Sequence, residues 1–148
     1  LVSKIEDGSA LETFKRFIAA QEGDTGFVDD YHLLPEAKHV VEIYPSEDGY
    51  ISTIRSDQVG IASLLLGAGR ENLDDEIDHS AGIYLLSKIG DPVQKDTPMA
   101  IFYTNDKMCL KDAESRFHEA FDYSKHPVEK PALIKAIISK NGVVTQKN

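Results

Sequence analysis

"HVVEIYPSEDGYISTIRSDQVGIASLLLGAGR", residues 39–70, is the stretch whose reading decides the fold. "HVVEIYP" and "GYISTIR" are short runs of β-branched and aromatic residues, the composition of strands. Ser46-Glu47-Asp48-Gly49 lies between them, and Asp-Gly is a strong turn signal, so the two runs read as a hairpin. The period then lengthens from two residues to three or four. Val59, Ala62 and Leu66 fall on one helix face, Ser56 or Asp57 stands where an N-cap belongs, and Gly67 stands where the helix should stop. Strands that pair locally and then give way to a helix make an α+β pattern.

Working outward, "AGIYLLSKIGDPVQKDTPMAIFYTN" reads as strand, turn and strand, with Gly82 to Leu86 first, Gly90-Asp91-Pro92 in the turn, and Ala100 to Tyr103 last. Asn105 or Asp106 should cap a final helix in which Leu110, Ala113, Phe117 and Phe121 recur at helical spacing. From Pro127 the tail, with its prolines and "LIKAII", reads as extended. Upstream, Ser9 and Glu12 in "DGSALETFKRFIAAQEGD" form a capping-box pattern; Leu11, Phe14 and Ile18 share a face, and Gly23 is the stop. Residues 25–38, "TGFVDDYHLLPEAK", carry no sustained period and mark a boundary. The expected organisation is a helix and connection over 1–38, a ββαββα domain over 39–126, and an extended tail over 127–148.

Composition narrows what such a chain can do. With 16 Lys plus Arg against 25 Asp plus Glu, the net charge of −9 repels phosphate backbones and anionic lipid, so neither a nucleic acid nor a membrane is an expected partner. The single cysteine, Cys109, allows no internal disulfide, and the five histidines show no metal-ligand spacing, so no metal site is expected. Gly60 to Gly67 is the longest apolar run and is far too short to span a bilayer. A reducing cytoplasm is the expected setting. The chain opens on Leu1 and not on methionine, which reads as a piece of something longer.

"LGAGRENLDDEID", residues 66–78, invites a phosphate-loop reading. A glycine turn binds phosphate where it leads from a strand into a helix, because the new helix presents free N–H groups and the positive end of its dipole. Here the helix precedes Gly67, so the backbone offers carbonyls, and neither the third glycine of a dinucleotide fingerprint nor a P-loop lysine follows. Arg70 is the one residue that favours a ligand-related role. "DHSAG", residues 78–82, sets His79 beside Ser80 without a nucleophile elbow and reads as a polar lead-in to a strand. Glu71, Asp74, Asp75, Glu76 and Asp78 lack the alternation and central glycine of a calcium loop and read as solvated. Cys109 reads as half-buried packing. No catalytic residue is assigned.

Several separated strings nevertheless match a known pattern in order: "ALETFKRFIAAQEGD", "VDDYHLLPEAK", "GYISTI", "VGIASLLLGAGR", "IDHSAGIYLLSKIGD" and "KPALIKAII". Together they resemble the C-terminal part of the pyrimidine-nucleoside phosphorylases, the group that includes thymidine phosphorylase. The resemblance implies phosphorolysis of uridine, deoxyuridine or thymidine to free base and pentose 1-phosphate. It implies that residues 1–38 end an upstream α/β domain and that a hammerhead-like α+β subdomain follows. The family's phosphate motif, nucleoside-contacting residues and potassium ligands all lie upstream of the matching part, so none transfers to a residue here. "DHSAG" lacks the lysine and second glycine of that phosphate motif, and the correspondence is rejected. The implied whole protein is a cytoplasmic homodimer using inorganic phosphate, and potassium, outside this segment; the segment alone is expected to be inactive. Gly67, Ala68, Gly69 and Arg70 are the expected cleft-closing loop. Two alternatives stand beside this reading. One is a biotinyl or lipoyl carrier, for which Lys88 and Lys95 lack the usual neighbours; the other is a stand-alone interaction module.

Overall fold

The computed structural model describes residues 1–70 and 72–145, which form two compact units, Leu1–Glu36 and one beginning at Ala37. The first unit holds α1 (Val2–Glu6), α2 (Ser9–Ala20) and two short 3-10 turns at Gly26–Val28 and Tyr31–Leu33. Helix α2 starts at Ser9 as expected but is not closed by a capping box. Gly8, in a left-handed conformation, is the N-cap, and the Asp7 carboxylate accepts the Ser9 N–H at 2.8 Å. The Ser9 hydroxyl finds no partner among the described residues. At the other end Glu22, not Gly23, takes the left-handed turn, at φ 60°. Its N–H donates to the Ala19 carbonyl, and the Gly23 N–H donates to that of Ile18, each at 3.0 Å, which is the bond pattern of a Schellman stop. Gly23 serves another purpose there: a Cβ on it would lie 2.8 Å from the Ile18 side chain.

The second unit is built on two three-stranded antiparallel sheets. The first has the order β1 (His39–Ile43), β5 (Ala100–Thr104), β3 (Gly82–Leu85); the second has the order β4 (Pro92–Val93), β2 (Gly49–Ile54), β6 (Phe121–Ser124). The expected hairpin between residues 39–45 and 49–55 does not form. Strand β1 pairs with β5, in the register His39 with Thr104, and β2 pairs with β4 and β6, so consecutive strands enter different sheets. Gly49 is fitted to the β2–β6 pairing. A side chain there would come within 2.5 Å of the Ser124 carbonyl, so this glycine admits the backbone of β6.

Helices α3 (Ser56–Ser63) and α4 (Leu110–Glu119) complete this unit. Neither Ser56 nor Asp57 caps α3: Arg55 is the N-cap, its side chain makes no capping bond, and its guanidinium pairs instead with Asp122 at 2.6 Å. Asp106, one of the two expected caps, accepts the Met108 N–H at 2.8 Å on a 3-10 turn, Lys107–Cys109, that leads into α4. Phe121 keeps the spacing of the helix face, but α4 stops before it and Phe121 opens β6. It still joins the same core, with its ring centroid 4.7 Å from that of Phe117. Phe102 and Phe117 meet edge to face at 5.2 Å and are fully buried, with Ile43, Ile51, Leu66 and Met99 around them. The tail is not simply extended. It contains an antiparallel ribbon, β7 (Ala136–Ser139) with β8 (Gly142–Thr145), every residue of which is exposed.

Candidate functional site

The sequence singled out Gly67 to Arg70, and their geometry follows from how α3 ends. After Ser63 the helix widens into a π turn, Leu64–Ala68, and Gly67 breaks it at φ 107°. A residue with a Cβ is strained at that angle, although the Cβ itself would meet Asp78 and Ala81 only at ordinary contact distance, 3.5 and 3.6 Å. At Gly69 the limit is steric, because a Cβ would stand 3.2–3.4 Å from three atoms of the Leu64 side chain. Arg70 is exposed and makes no hydrogen bond or ion pair with another described residue. Glu71, grouped by the sequence with the acidic loop, lies outside the described residues.

The carbonyls at this helix end are engaged by neighbours. The Thr104 hydroxyl, fully buried, donates to the Leu66 carbonyl at 2.8 Å, and the Asp78 N–H donates to the Gly67 carbonyl at 2.9 Å. An open hollow of about 490 Å³ beside the turn is lined by Leu64, Leu65, Gly67, Gly69, Asp75 and Glu76. Its two carboxylates and the carbonyl-bearing helix end make it unfavourable for an anion.

"DHSAG" becomes an Asx turn. Asp78 accepts from the Ser80 N–H at 2.9 Å and the Ser80 hydroxyl at 2.7 Å through one oxygen, and from Asn105 Nδ2 at 2.7 Å through the other. Those bonds, the Ser80 hydroxyl and N–H foremost and Asn105 after them, hold the Asp78 carboxyl below its ordinary range. Ser80 is therefore occupied as a donor, and His79 beside it is exposed. Asn105 also donates to the Ser80 hydroxyl at 2.9 Å and accepts the Lys38 N–H at 2.9 Å. No local pattern in the sequence joins Asp78 and Ser80 to Asn105, or Leu66 to Thr104. One signal was present: Thr104 shares the inward row of β5 with Ala100 and Phe102, and a buried hydroxyl in such a row must find a partner.

The remaining candidates stand apart. Cys109 is half-buried, and its thiol lies 2.8 Å from the Asp106 carbonyl. Lys88 precedes β4, its N–H bonded to the Asp91 carboxylate at 2.9 Å. Lys95 is exposed in a turn closed by the Thr97 N–H on the Gln94 carbonyl at 3.0 Å. Among the described residues no three His, Cys, Asp or Glu side chains are placed to hold a metal ion, and no helix is long and apolar enough to cross a membrane.

Against known proteins, residues 50–124 match the pyrimidine nucleoside phosphorylase C-terminal domain family. A pyrimidine-nucleoside phosphorylase of Geobacillus stearothermophilus is 42% identical over 139 residues, which cover 94% of this chain and 32% of that protein. The Bacillus subtilis (strain 168) protein of the same name is 44% identical over 101 residues, 68% of this chain and 23% of its own. That of Staphylococcus aureus (strain USA300) is 35% identical over 140 residues, 95% of this chain and 32% of its own. The chain thus spans about a third or less of the length of these relatives.

Proposed function

Because this chain belongs to the pyrimidine nucleoside phosphorylase C-terminal domain family, we propose that it is the C-terminal portion of an enzyme that phosphorolyses uridine, deoxyuridine or thymidine. In that reaction a phosphate oxygen bonds to the anomeric carbon as the bond from that carbon to the pyrimidine nitrogen breaks. The products are pentose 1-phosphate and, once the nitrogen has taken a proton, the free base. The observation that carries this reading is the 42% identity to the Geobacillus stearothermophilus phosphorylase across 94% of the chain.

On this reading the reacting groups, the phosphate site and any potassium belong to upstream domains of a cytoplasmic homodimer, and this chain supplies no catalytic residue. Residues 1–38 end the upstream α/β domain. Leu11, Phe14 and Phe17, 47%, 46% and 60% exposed on α2, give that domain a surface to cover. The second unit is its hammerhead-like C-terminal subdomain. Its contribution to turnover is the Gly67–Arg70 turn, where the exposed guanidinium is free to pair across a closing cleft and help exclude water.

The test is release of uracil or thymine by the full-length protein. Release that depends on phosphate, with none from the 148-residue chain alone, is the expected result; a full-length protein without phosphate-dependent release refutes the proposal. Within it, Arg70→Ala should lower kcat/KM about tenfold, the scale of one charge-assisted bond. Unchanged kcat, KM and closure equilibrium would remove Arg70 from the mechanism while leaving the activity assigned.

A further inference from the structure

The end of β5 places one side-chain amide between two parts of the chain that are otherwise far apart in sequence. Asn105 Oδ1 accepts the N–H of Lys38, the second residue of the second unit. Its Nδ2 donates to Asp78 at 2.7 Å and Ser80 at 2.9 Å, and the Asp78 N–H in turn holds the Gly67 carbonyl at 2.9 Å. The orientation of the amide is fixed by chemistry. The Lys38 N–H can only donate, and an ionised carboxylate can only accept, so oxygen and nitrogen cannot exchange places.

We infer that Asn105 is a positioning residue that couples the chain at Lys38 to the foot of the Gly67–Arg70 turn, and so sets where Arg70 stands. The amide is planar and short-tethered. A displacement at Lys38 that carries the oxygen with it swings the nitrogen away from Asp78 and Ser80. Asp78 and its bond to Gly67 then shift, because that carboxylate has no other side-chain donor besides Ser80 among the bonds described. Thr104 fixes the other foot of the turn through Leu66, and its backbone lies opposite His39 in the β1–β5 register. The side-chain path from Lys38 to the Asp78 foot runs through Asn105, whereas the β1–β5 ladder leads to the Leu66 foot. Its relevance to turnover rests on the cleft-closing reading of Arg70, whereas the coupling itself does not.

Two variants of the full-length protein separate these points, read by amide hydrogen exchange and by steady-state kinetics. Lys38→Pro deletes the donor on one arm and leaves the turn untouched. Asn105→Asp keeps the acceptor for Lys38 but sets a carboxylate against Asp78. Coupling is reciprocal, so disturbance of either arm must appear at the other. In Lys38→Pro the Asp78 and Ser80 amides should exchange about fivefold to tenfold faster, the scale of one lost hydrogen bond. In Asn105→Asp the Lys38 amide should speed up by a similar factor, roughly, although its own acceptor remains. Wild-type exchange at the far arm in both variants overturns the coupling. If Lys38→Pro does not fold, the Lys38 amide in Asn105→Asp decides alone. For turnover, a fall in kcat with little change in KM for phosphate is expected in both. Coupled exchange with unchanged kinetics in these variants and in Arg70→Ala would keep the coupling and end the cleft-closing reading; uncoupled exchange with an impaired Arg70→Ala would do the reverse.

Discussion

Helices α2 and α4 have similar apolar stripes and meet opposite fates. Helix α4 buries Ala113 and Phe117 in a core shared with both three-stranded sheets of its unit. Helix α2 buries none of its residues, and in its whole unit Val28 alone is a buried apolar side chain among those described. What separates them is the company each keeps. Amphipathic spacing says that a face wants covering; whether a cover exists within the same unit is a property of the rest of the chain.

The contrast can be broken most directly at two phenylalanines. Phe117→Ala removes a fully buried ring that touches Phe102 and Phe121, and should cost about 3–5 kcal/mol in chemical denaturation of the second unit. Phe14→Ala, whose ring meets Phe27 edge to face at 6.5 Å but is half exposed, should cost roughly 1 kcal/mol. Equal losses would mean that α2 is as well covered as α4. An effect between these two sharpens the picture of the second unit. Thr104→Val leaves the Leu66 carbonyl without its buried donor and should cost about 1–3 kcal/mol, with faster amide exchange around the π turn. No change in either reading would show that water replaces the hydroxyl. The smallest effect belongs to α2. Glu22→Gly relieves a left-handed residue at the helix stop and should stabilise that end by about 0.5–1 kcal/mol, seen as slower exchange of the last amides of α2. Faster exchange there would contradict the Schellman assignment.

These same elements show what sequence could and could not convey. The strands at 39–43, 49–54, 82–85 and 100–104 and the helices after Ser9, Arg55 and Cys109 were legible, because period and composition are local signals. Pairing was not. Asp48-Gly49 carries the residues of a tight turn, yet Asp48 accepts the Lys95 N–H at 2.8 Å and Gly49 makes room for β6, two long-range duties that no local pattern distinguishes from a hairpin. Phe121 kept helical spacing because the core it enters continues past the helix end, so the period outlived the element. In the tail, Asn141-Gly142 is a tight-turn pair that the extended reading leaves out, and the ribbon closes around it. At the candidate site, Gly67 was legible as a breaker, whereas the Asn105 bonds depend on β1 and β5 lying side by side.

That side-by-side arrangement also sets a clock for synthesis. Strand β5 is the central member of its sheet, and β1 lies about sixty residues ahead of it in the chain, so at cellular elongation rates β1 leaves the ribosome roughly 3–12 s before its partner. Throughout that interval β1 has no native neighbour, because β2, the strand that follows it directly, is committed to the other sheet. The nascent chain therefore carries an unpaired apolar strand edge until Ala100–Thr104 emerges, and the completion of this sheet is governed by translation as much as by the amino acids that compose it.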